Sequence, residues 1–120
     1  MNSHLDLNEK SLTLRVPGDL LSTNAEALRL EILPLIEVSD RAPQPWSTFI
    51  LDLTAAVMVD SVGLNLIVTL LKRVQKSGAK MQIAYSNPNV LRTLTFTRLD
   101  KHVELARVER GMATDQGKVG

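Results

Sequence analysis

Phe49-Ile50-Leu51-Asp52-Leu53, followed shortly by Asp60-Ser61-Val62-Gly63-Leu64-Asn65-Leu66-Ile67-Val68, is the stretch that decides the fold. The first part is a nearly continuous apolar run, of the kind found in strands covered on both faces, and reads as a central strand. In the second part the apolar residues recur at helical spacing, and the helix runs from residue 61 to Ser77-Gly78, with Lys72, Arg73 and Lys76 near its C-terminus, where cations suit the helix dipole. A strand that passes directly into a helix is the repeating unit of an α/β sheet.

The junction also places a hydroxyl in a particular setting. Asp60 is a preferred N-cap, and that role alone accounts for an aspartate here. Ser61 then stands in the first turn, where free amides and the helix dipole favour an added phosphate of roughly −1.5 to −2 charge. Gly63 has no side chain, so another backbone can approach closely.

At about 100° per residue, Leu64, Ile67, Val68, Leu71 and Val74 form the arc expected to face the sheet. Asn65, Thr69, Lys72, Arg73 and Lys76 fall towards solvent. Val62 points into the polar arc and Leu66 lies at its border. The pair reads either as ordinary scattered surface residues or as a docking patch beside Ser61.

Working outward, Leu12, Leu14 and Val16 alternate with polar residues until Pro17-Gly18, which is a half-buried strand. Leu5 and Leu7 suggest a shorter strand before it, with a turn at Asn8-Glu9 or Glu9-Lys10. Ala25, Leu28, Ile32, Leu35 and Ile36 give a first helix, capped by Ser22, Thr23 or Asn24, and Pro34 disfavours its last turn. Asp40 to Pro45 is a loop. Met81 to Tyr85 alternates as another strand, Asn87-Pro88 opens a third helix, and Val103-Glu104-Leu105 is a last short strand. The result is one α/β (α+β) domain over residues 1–110, with a mixed sheet of about five strands and a mobile tail at 111–120.

Composition narrows the function. The 120 residues are 44% hydrophobic but only 3% aromatic, which leaves no stacking platform for nucleic acid. There is no cysteine, so disulfides, thiolate metal sites and cysteine nucleophiles are excluded. His4 and His102 are too far apart to form a ligand motif, and no glycine-rich phosphate loop is present, so neither metal nor cofactor is expected. No run approaches a membrane span and no signal segment opens the chain, which reads as cytoplasmic without membrane insertion. Residues 1–60 carry nine acids and four bases, whereas 61–110 carry three acids and nine bases. This asymmetry reads as a solvated surface or as a footprint for an anionic partner.

Ile50-Leu51-Asp52-Leu53, the apolar spacer, Val59-Asp60-Ser61-Val62-Gly63-Leu64, and Leu70-Leu71-Lys72-Arg73 before Ser77-Gly78 together resemble the STAS domain of anti-sigma factor antagonists. Gly18-Asp19-Leu20 resembles that family's entry to its first helix, and Asn87-Pro88-Asn89-Val90 with Leu99 resembles its third-helix region. The resemblance covers residues 5 to 106. It implies a four- to five-stranded mixed sheet with helices packed mainly on one face.

It also implies a bacterial partner switch rather than an enzyme. Ser61 would be phosphorylated by a cognate anti-sigma factor serine kinase, which the unphosphorylated form sequesters and the phosphorylated form releases, and a serine phosphatase would reset it. Asp60 and Gly63 would support the phosphosite, and Val62, Leu66, Asn65, Thr69 and Arg73 would contact the partner. Three positions depart from the family pattern: Leu21 stands where many members have aspartate, Val62 where Ser or Ala is frequent, and Arg98-Leu99 where a Gly-Leu pair is usual. The alternative is a non-catalytic STAS subunit of an ABC-type lipid-trafficking system that docks on a permease, with Ser61 acting as a cap or contact.

Overall fold

The computed structural model describes residues 2–6, 10–39 and 46–108. Five strands, β1 (Asn2–Asp6), β2 (Ser11–Arg15), β3 (Thr48–Leu53), β4 (Lys80–Tyr85) and β5 (Glu104–Arg107), form one sheet in sequential order. β1 is antiparallel to β2, and every other pair is parallel. Helices α1 (Ala25–Ser39), α2 (Ser61–Lys76) and α3 (Pro88–Phe96) supply the crossovers, and a short 3-10 turn at Leu99–Lys101 leads into β5. Each crossover advances one strand in the same direction, so right-handed connections put the three helices on one face.

The register explains the core. Leu12, Phe49 and Met81 align across neighbouring strands, as do Leu14, Leu51 and Ile83, and all six are buried beneath the helices. Alternate residues point the other way. Ile50 and Asp52 are only half-buried, so β3 is central in order but is not covered on both faces as its apolar run suggests. The apolar Ile50 lengthens the run without lying in the core.

The first helix persists through Pro34 to Ser39. Ala25, Leu28, Ile32 and Ile36 are buried, whereas Leu35, expected with them, lies at the edge of that arc and is exposed. Asn24 does not cap α1 in the usual way: its Oδ1 accepts from the Leu21 amide and its Nδ2 donates to the Asp19 carbonyl, which folds the entry loop on itself. Asn87 caps α3 by accepting from the Asn89 amide, with Pro88 in the first turn. The expected strand position Leu7, the turn residues Asn8 and Glu9, the loop from Asp40 to Pro45 and the tail at 111–120 lie outside the described residues.

Candidate functional site

The site is assembled from two loops at the C-terminal ends of β2 and β3. Leu20 and Val59 form an isolated parallel bridge, in which the Leu20 amide donates to the Met58 carbonyl at 3.1 Å and the Asp60 amide donates to the Leu20 carbonyl at 3.1 Å. Two carboxylates then fasten each loop to the other. Asp19 Oδ1 accepts from the amides of Val57 and Met58 at 2.7 and 3.2 Å. Asp60 Oδ2 accepts from the Ser22 amide at 2.8 Å, while its Oδ1 caps α2 by accepting from the Gly63 amide at 2.8 Å. The Gly63 amide, then the Ser22 amide, hold the Asp60 carboxyl below its usual range, so it is ionised near neutral pH.

Ser61 begins α2 and is exposed, immediately after the capping carboxylate. Val62 beside it is also exposed. Leu66 is not: at 4% exposure it belongs to the core, which corrects the expectation of an exposed pair. The helix buries Gly63, Leu66, Ile67, Leu70, Leu71 and Val74, while Leu64 and Val68 are only partly buried. The position of Gly63 explains this rotation. Its backbone lies so close to the Leu20 carbonyl that an added Cβ would overlap it, so the side of the helix bearing Gly63 must face inward. The absent side chain admits a backbone of this same chain, and the surface opening expected at Gly63 is filled by Leu20.

Asn65 and Thr69 are exposed further along α2, with Thr69 Oγ1 donating to the Asn65 carbonyl at 2.9 Å. Arg73 is half-buried and donates to Ser77 Oγ at 3.0 Å. Thr69 and Arg73 line an open groove of about 350 Å³ with Leu33, Lys72 and Lys76. Val62, Asn65 and Thr69 therefore share the solvent side of α2 with Ser61, whereas Leu66 lies beneath it.

Sequence reading overlooked three features. Val57 and Met58, half or more exposed on the turn before Asp60, enlarge the apolar surface beside Ser61. Asp19 holds that turn from the other loop. The apolar spacer before Asp60 carries the signal for the first two, since Val57-Met58 lies where a tight polar turn is the ordinary choice. Among the described residues, no three His, Cys, Asp or Glu side chains gather as a metal-ligand group, and no helix is long and apolar enough to cross a membrane.

The family model for the STAS domain matches residues 4–111. An anti-sigma factor antagonist from Mycobacterium paratuberculosis superposes with a TM-score of 0.72 at 20% identity, over 92% of this chain and 88% of that one. The anti-sigma factor antagonist SpoIIAA in its unphosphorylated form gives 0.65 at 15% identity, over 95% and 94% of the two chains. The phosphorylated form of SpoIIAA, a Bacillus cell fate determinant, gives 0.59 at 17% identity, over 98% and 100%. The same fold matches 19% of the chain of SLC26A9, with a TM-score of 0.64 at 17% identity over 84% of this chain.

Proposed function

The chain belongs to the STAS domain family, and on that premise we propose that it is a non-catalytic anti-sigma factor antagonist that works by partner switching in a bacterial cytoplasm. The observation that carries this reading is Ser61, exposed on the first turn of α2 beside the capping residue Asp60 and flanked by exposed apolar side chains. The occurrence of a structural neighbour in both unphosphorylated and phosphorylated forms supports it.

In this reading the unphosphorylated protein holds an anti-sigma factor serine kinase against the face that includes Val62, Asn65, Thr69 and Arg73. Ser61 Oγ attacks the γ-phosphorus of the kinase's ATP. The bond to the β-phosphate oxygen breaks, ADP leaves, and the hydroxyl proton passes to a base of the kinase. The product carries roughly −1.5 to −2 charge on Ser61 beside the Asp60 carboxylate. The first-turn amides of α2 favour that charge, so the fold is retained while the apolar surface at Val62 acquires a charged neighbour. A serine phosphatase returns Ser61 to its hydroxyl form by hydrolysis.

Incubation with the purified kinase and ATP should add one phosphate, and Ser61→Ala should add none. Equal labelling of the variant would sink the assignment. A second reading, a STAS subunit docked on a permease of an ABC-type lipid-trafficking system, draws support from the occurrence of this fold as a minor part of the SLC26A9 chain. It expects binding to the permease that Ser61→Ala leaves intact, with no phosphate cycle.

A further inference from the structure

The turn between β3 and α2 carries two large apolar side chains in water, Val57 at 50% and Met58 at 56% exposure. A free loop would turn such side chains inward, because apolar surface left in water is unfavourable. This turn cannot. Asp19 Oδ1 accepts both amides, at 2.7 and 3.2 Å, the Met58 carbonyl accepts the Leu20 amide at 3.1 Å, and the next residue is bridged to Leu20. The backbone is fastened on its inner side, and the two side chains stand outward. With Val62 on the first turn of α2, they form an apolar rim within four residues of Ser61 on either side.

We propose that Val57 and Met58 are apolar anchors that the serine kinase covers when it engages Ser61, and that Asp19 is the positioning residue that presents them. The proposal rests on the partner-switching reading. The occupant follows from continuity, since any protein that brings ATP to Ser61 Oγ must lie over the surface next to it. A rim already held in place loses little freedom when covered, and compact apolar anchors next to the reacting group carry a disproportionate share of binding. Asp19 touches neither Ser61 nor the kinase and acts only through the turn.

The test is a calorimetric titration of the anti-sigma serine kinase encoded nearest this chain's gene, with phosphorylation of Ser61 followed in parallel. Met58→Lys and Val57→Lys should each weaken binding about tenfold or more, with Met58→Leu close to wild type and thermal midpoints unchanged, as for truncated interface anchors. Asp19→Ala, which removes the acceptor of both amides, should weaken binding in the wild-type background but add little to Met58→Lys, because the two act through one contact. Wild-type affinity in Met58→Lys overturns the anchors and leaves the Ser61 switch standing. An equal Asp19→Ala effect in both backgrounds overturns the positioning role. A wild-type chain that neither binds the kinase nor accepts phosphate overturns the switch itself, and the anchors with it.

Discussion

A single methyl group at position 63 tests how the site is built. In Gly63→Ala the new Cβ would overlap the Leu20 carbonyl oxygen and lie 3.0 Å from both its carbonyl carbon and its Cγ, well inside van der Waals contact. Leu20 has no room to withdraw, because it is fully buried and hydrogen-bonded on both sides, to Met58 and to Asp60. In an unhindered helix the same change stabilises by roughly 1 kcal/mol. Here overpacking costs about 1–3 kcal/mol, and weakening the Asp60 to Leu20 hydrogen bond costs about 1 kcal/mol more. The net loss is ~2 kcal/mol, or roughly 8 °C in the thermal midpoint of a domain this size. Urea unfolding followed by the fluorescence of Trp46, the one tryptophan and 2% exposed, measures it directly. Gly18→Ala is the control, since nothing lies within 4 Å of its added Cβ, and it should be neutral or stabilise by about 0.5 kcal/mol. A Gly63→Ala midpoint at or above wild type, with unchanged slope, would refute the close approach.

Two further outcomes follow from the described geometry. Arg98 adopts the left-handed conformation at φ 65°; Arg98→Gly should stabilise by roughly 0.5–1 kcal/mol in urea unfolding, because a side chain is strained there, and a destabilised variant would show that Arg98 makes a compensating contact. The Asp60 carboxyl is held below its ordinary value by the Gly63 amide first and the Ser22 amide second. Its contribution is therefore fully present above the unfolded carboxyl pKa of about 4 and is lost as pH falls through the lower folded value. The urea midpoint of Asp60→Asn should accordingly fall less than that of wild type between about pH 5 and about pH 2.5; parallel curves would contradict the capping assignment.

Elements whose signal is local were legible in the chain itself. Alternation placed β2 and β4, the Asn87-Pro88 pair opened α3, and Asp60 opened α2. The rotation of α2 was not legible, because a hydrophobic arc counts side chains and Gly63 has none. The hydrophobic arc runs through Leu64 and Val68, whereas close contact at Gly63 turns Leu66 and Leu70 into the core. Ile50 misled for a related reason: an apolar residue on the outer face makes β3 look enclosed on both sides. Ser61 could be singled out from its neighbours in sequence, but the Asp19 and Asp60 fastenings join residues 38 or more positions apart, and no local pattern announces them.

Those long-range fastenings bear on when the serine becomes readable. Neither half of the surface exists in a chain whose β2 and β3 have not yet paired, since Met58 is held from residue 19 and Ser22 from residue 60. Contacts that close loops of this length carry an entropy cost that the folded sheet must offset. A nascent or unfolded molecule displays the same Asp60-Ser61 dipeptide without the framed surface around it. Recognition through that surface would therefore count only native copies, which ties the amount of recognisable protein in a cell to the folding yield of the chain and not to its rate of synthesis.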